Sequence, residues 1–89
     1  MRVLLITFDL QEVGQDVDVL ERLKSRFEVW SRVAECSFAV ETGMTPREVY
    51  DVFKPLLAED DILYVINVTR PFHGQGPVDV NEWLDDTLP

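Results

Sequence analysis

The chain has 89 residues, enough for one domain spanning 1–89, and a chain of this size buries only about 60 to 65% of its unfolded surface, so its core is thin. Seventeen acidic residues against eight basic ones give a formal charge of −9, a field that opposes any polyanion at long range and demands a local basic patch of a nucleic-acid binder. A single cysteine, Cys36, excludes an internal disulfide and a cysteine-rich zinc site, which fits a reducing cytoplasm, and no stretch approaches a membrane-spanning length.

The first element runs from Val3 to Leu10. Its residues are apolar on both faces, so it reads as a central strand that needs cover on both sides. Val3, Leu5, Thr7 and Asp9 share one face and Leu4, Ile6, Phe8 and Leu10 the other. Asp9 thus ends an otherwise apolar row, either as a turn-former or as a metal or acid-base group at the mouth of the sheet. The run is too short for a secretory leader, is preceded only by Arg2, and meets Asp9 where a small-residue cleavage site belongs.

Gln11 to Gln15, with Gly14, reads as a loop, and Asp16 or Asp18 is expected to cap a helix whose apolar side is Val19, Leu20, Leu23 and Phe27. From Glu28 the period changes to two. Val29 to Val33 and Ser37 to Thr42 are expected to form a hairpin, although a turn near Ala34 to Cys36 without Gly, Pro or Asn leaves one long bent strand open. Thr45-Pro46-Arg47-Glu48 is a capping box with proline at the first helical position. The helix it starts buries Val49, Val52, Phe53 and Leu56, turns Tyr50 and Lys54 towards solvent, and loosens around Asp51 to Pro55 because proline has no N–H to donate.

Glu59-Asp60-Asp61 turns the chain into Ile62 to Thr69, a second near-continuous apolar strand. Arg70 to Pro77 reads as a loop, Val78 to Val80 as a short edge strand, and Asn81 as the cap of a final turn bearing Trp83 and Leu84. The order strand, helix, strand, strand, helix, strand is the ferredoxin-like βαββαβ plan of an α+β sandwich, with a short extra C-terminal element. Two helices cover one face of such a sheet. The face of Val3, Leu5 and Thr7 and its counterpart on Ile62 to Thr69 would stay open in a monomer, which predicts a homodimer with sheets packed face to face.

Several motifs together resemble a known group: Phe8-Asp9-Leu10 closing the first strand, Gly14-Gln15-Asp16, a strand begun by Trp30, Lys54-Pro55, Asp60 to Val68, and Trp83-Leu84. The chain is similar to SinR-like small bacterial proteins, which resemble in turn the small non-integrase adaptation subunit of CRISPR systems. That resemblance implies a ferredoxin-like subunit dimerising through its sheets, with the aspartate after the first strand facing its symmetry mate. In the adaptation subunits that acid is associated with a divalent metal, Mg or Mn, and with nuclease activity. By match to the motif, Asp9 alone carries over as the catalytic and metal residue. The basic surface of the group does not carry over, since Arg22, Arg26, Arg32 and Arg47 are scattered among acids.

Other candidates have plainer readings. His73 lies in a Gly- and Pro-rich loop with no nucleophile pattern nearby. Cys36 is expected to be a small buried hydrophobe, and Trp30 and Trp83 apolar anchors at a core edge or interface. Gly74-Gln75-Gly76 lacks the lysine and helix of a phosphate loop. The acids from Asp79 to Asp86 read as a solvated face. Two function classes remain: a nucleic-acid-associated subunit with a metal-dependent phosphodiesterase site, and a non-catalytic protein-interaction module with an acidic surface.

Overall fold

A computed structural model describes residues 1–89. The chain forms β1 (Arg2–Asp9), α1 (Gln15–Arg26), β2 (Trp30–Ala34), β3 (Ser37–Thr42), α2 (Pro46–Phe53), β4 (Ile62–Val68) and α3 (Val78–Thr87), with a 3-10 turn at Lys54–Leu56. The four strands make one antiparallel sheet in the order β2-β3-β1-β4. No helix is long and apolar enough to cross a membrane. The architecture is α+β, and β1 sits inside the sheet between β3 and β4, as its two apolar faces require.

The main core lies between one sheet face and the helices α1 and α2. Leu4, Ile6 and Phe8 of β1, Phe38 and Val40 of β3, and Leu63 of β4 meet Val19, Leu23, Phe27, Val49, Val52 and Phe53. Each such buried aliphatic or aromatic side chain contributes about 2 kcal/mol of transfer free energy. Phe27 lies against Phe53, ring centroids 6.5 Å apart, and Trp30 against Phe38 at 6.1 Å.

Local chemistry sets the helix ends. The Thr45 hydroxyl accepts from the Glu48 N–H (3.2 Å) and the Glu48 carboxylate from the Thr45 N–H (3.0 Å), completing the capping box. Pro55 ends regular helix at Phe53, and the chain tightens into the 3-10 turn. The expected cap of α1 by Asp16 or Asp18 is not made. Gly14 is the N-cap instead, at φ 88°, a left-handed conformation suited to glycine, and both aspartates fall in the first turn, where they complement the helix dipole. Tyr50 is half-buried against the core rather than turned fully to solvent.

The region 28–42 is a hairpin and not one bent strand. Its turn is Glu35 and Cys36, and the ladder shifts register between Arg32 and Ala34. The Arg32 guanidinium donates to the Glu35 carbonyl from Nη2 (2.7 Å) and Nε (3.2 Å), holding a turn without glycine or proline. Cys36 is exposed, correcting its expected burial, because the turn lifts it out of the ladder.

The largest departure is at the C-terminus. Val78 to Val80 is not an edge strand, and Asn81 does not cap a final turn: its side chain donates to the Gly76 carbonyl from within a ten-residue helix. Val80, Trp83, Leu84 and Leu88 follow a helical spacing of i, i+3, i+4 and i+8, which outweighs the β-branched valines. This α3 covers part of the second sheet face. Leu88 is buried with Val3 and Ala39, and Trp83, Leu84, Val33 and Val68 pack around them. The second face is therefore not left wholly open, contrary to the expectation from two helices.

Arg70 ties this helix down. Its Nε donates to the Leu88 carbonyl (2.9 Å), its Nη2 donates to the Asp85 carbonyl, and its backbone N–H donates to the Pro89 carbonyl (2.8 Å). A cation on helix C-terminal carbonyls satisfies groups that have no partner within the helix and opposes the helix dipole. Arg70→Ala should cost about 1 kcal/mol in urea unfolding, below the usual range for charge-assisted bonds because the side chain is partly solvated, and should shift tryptophan emission to the red as Trp83 loosens. An unchanged midpoint and spectrum would show that apolar packing alone holds α3.

Candidate functional site

The register of β1 on β4 pairs Val3 with Val68, Leu5 with Ile66, Thr7 with Tyr64 and Asp9 with Ile62. On the second sheet face these pairs form two adjacent rows. Where α3 ends its cover, the rows meet solvent: Ile62, Tyr64 and Ile66 are 47%, 64% and 48% exposed, and Leu5 and Thr7 are half-buried. Thr7 shares a hydrogen bond with Ser37 across the β1–β3 pair, oxygen to oxygen 2.9 Å. An uncharged strip thus runs along β4 and β1, bounded by α3 on one side and by Asp9 at one end.

Asp9 is exposed. Beside it a shallow hollow of about 240 Å³ is bordered by Glu12, Asp16, Glu35 and Cys36. No three acidic, histidine or cysteine side chains converge on a point where a cation could be held. A hard divalent ion takes six or more oxygen ligands and keeps some of its waters.

The acid with the most developed environment is Asp61, which the sequence suggests only as part of a turn. Its carboxylate accepts from the backbone N–H of Ala58 (2.6 Å) and of Gln11 (2.9 Å) and from the Gln15 side-chain amide, which also donates to the Leu56 carbonyl (3.0 Å). The bonds from Ala58 and Gln11, chiefly, hold its pKa below the ordinary carboxylate value, as the Thr45 bonds do for Glu48. Asp61 thereby joins the loop after β1 to the loop before β4 and fixes the chain that leaves Asp9. The signal was present in the topology: with Asp9 opposite Ile62, the next residues of both strands must be neighbours.

Several of the cations have partners within the chain. Arg22 donates to the Val52 carbonyl (3.0 Å), Lys24 stands 5.8 Å from the Trp30 ring centroid, Arg32 holds the hairpin turn, Arg47 pairs with Asp51 (3.8 Å) and Arg70 holds α3. Arg2, Arg26 and Lys54 remain, at the ends of three different elements. His73 is exposed in its loop, and Trp30 and Trp83 are half-buried anchors of the two apolar clusters. Asp79, Glu82, Asp85 and Asp86 are solvated on α3.

Comparison of the chain with family models, with curated proteins and with solved structures finds no match.

The Asp61 geometry has a consequence in acid. A carboxylate whose folded pKa lies below its unfolded value, about 4, stabilises the fold fully above that value, and the contribution is lost as pH falls through the folded one. Asp61→Asn should therefore lower the Tm at pH 7 and make the decline of Tm between about pH 4 and 2 shallower than in the wild type. An acid limb as steep as that of the wild type would contradict the assignment.

Proposed function

We propose that this chain is a SinR-like, ferredoxin-like subunit that works as a self-associated pair, burying the open part of its second sheet face against a second copy. The observation that carries this reading is the row Ile62, Tyr64 and Ile66, solvent-exposed beside Leu5 and Thr7. An apolar strip of this kind on a small chain is costly to leave in water and marks an association surface. Its lack of charge matters equally. At −9, copies repel one another over most of their surface, and the strip is where they can approach. The strand order β2-β3-β1-β4 supports the ferredoxin-like reading, and α3 would flank the joined strips.

The reading most in keeping with the engaged arginines and the acidic surface is a protein-interaction role, with α3 and the loop from Arg70 to Pro77 facing a basic or apolar partner. A second reading has one observation in its favour. Asp9 is the register partner of Ile62, so it stands at the end of the strip, where two copies would bring their Asp9 carboxylates to the same interface. The resemblance to CRISPR adaptation subunits would make that a magnesium or manganese site for phosphodiester hydrolysis. In this reading both copies would contribute ligands to the site.

Light scattering should give a mass of at least twice the 10.3 kDa chain, and Ile66→Glu should halve it while the circular dichroism spectrum is kept. A concentration-independent mass of one chain would reject the self-association reading. For the second reading, magnesium or manganese should raise the Tm of the wild type, and Asp9→Asn should abolish that rise together with any metal-dependent cleavage of nucleic acid. Cleavage that survives Asp9→Asn would remove Asp9 from the chemistry.

A further inference from the structure

The sheet has two edges, and they are built differently. The β2 edge is five residues long, carries Arg32, and is disrupted by the register shift between Arg32 and Ala34. These are devices that keep an edge from pairing with another chain. The β4 edge has none of them. Ile62–Val68 is seven residues long, reads Ile-Leu-Tyr-Val-Ile-Asn-Val, and holds no charge, proline or register shift. It faces β1 on one side only.

A hollow of about 410 Å³ lies along the same strand, between it and α2, lined by Pro46, Arg47, Tyr50, Leu63, Tyr64 and Val65. An added strand projects alternate side chains to the two sheet faces. A helix-side residue of a strand laid on β4 beside Leu63 to Val65 would therefore enter this hollow, whose lining is mostly apolar and aromatic.

We propose that β4 is a strand-pairing edge and that its occupant is β4 of another copy, running antiparallel across a two-fold axis at Val65. Charge argues for a copy. In a chain of −9, seven consecutive uncharged residues are a place where two such chains can meet without repulsion. The strand is also self-complementary. Pairing about Val65 sets Ile62 against Val68 and Tyr64 against Ile66 on the open face, and Leu63 against Asn67 and Val65 against Val65 on the helix side. Cross-strand pairs of aliphatic and aromatic side chains are the units that stabilise a sheet.

The edge contact is separate from the face contact proposed above and can coexist with it. Edge pairing joins four strands to four and merges two apolar strips into one, flanked on both sides by α3. A second edge-joined pair covers that merged strip, giving two eight-stranded sheets face to face and four chains in all. The closure at four rests on the face-packing reading; the edge contact does not.

The register makes a specific test possible, because Val65 meets its own copy. Val65→Lys and Val65→Glu should each halve the mass measured by light scattering at equal chain concentration, and an equimolar mixture of the two should restore it, since lysine then faces glutamate. Ile66→Glu should also halve the mass, but mixing it with either Val65 variant should not restore four chains. Masses for both Val65 variants equal to that of the wild type would overturn the edge proposal and leave the face reading standing. Loss of association in the Val65 variants with none in Ile66→Glu would keep the edge and reject the face. Should a Val65 variant fail to fold, amide deuterium exchange of the wild-type chain decides: alternate amides of 62–68 should become protected as concentration rises, and exchange independent of concentration would overturn the proposal.

Discussion

The fold depends on a single constraint, that β1 is apolar on both faces and must be covered on both. Its place between β3 and β4 satisfies its backbone, and its helix-facing side chains, Leu4, Ile6 and Phe8, find cover from α1 and α2. The opposite face is a harder problem for a chain of 89 residues. It is solved in part by α3, which buries Val3 and Ala39 under Leu88, Trp83 and Leu84. The part of that face nearest β4 stays exposed.

This division of labour follows from size. A small domain has little interior, so a helix that covers half a sheet face uses most of what the chain can supply. The amphipathic α3 carries its acids outward and its apolar residues down, and Arg70 fixes its C-terminal end at the point where β4 leaves the sheet. The strip that remains is then bounded on one side by a helix and at one end by Asp9. Association through the strip and any chemistry at Asp9 would thus share one surface.

Much of this was legible in the residues. The two apolar runs gave the two adjacent strands β1 and β4, Thr45 to Glu48 gave the start of α2, and Pro55 gave its end. What misled was local. Val78 and Val80 favour a strand, yet the longer spacing of Val80, Trp83, Leu84 and Leu88 selects a helix once there is a sheet face to receive it. Asp16 and Asp18 are good caps in isolation, but Gly14 takes the left-handed turn first. The hairpin turn at Glu35 and Cys36 carries no turn signature because Arg32 supplies its hydrogen bonds from within the strand. Asp61 was hidden for another reason: its partners, Gln11 and Gln15, are far away in sequence and become neighbours only through the β1–β4 pairing. At the candidate site, Asp9 could be positioned on its row from the alternation alone. The groups around it could not, since they come from the loops after β1 and β2.

The central claim is that the open strip of β4 and β1 is interior to an assembly. The most direct measurement is the relaxation of side-chain protons by a soluble paramagnetic probe, read by NMR at a concentration where the chain is associated. The account predicts that the side chains of Ile62, Tyr64 and Ile66 are shielded to the level of Leu5, while Val17, exposed on α1 over the other sheet face, is strongly relaxed. Relaxation of Ile62, Tyr64 and Ile66 as strong as that of Val17 would contradict it.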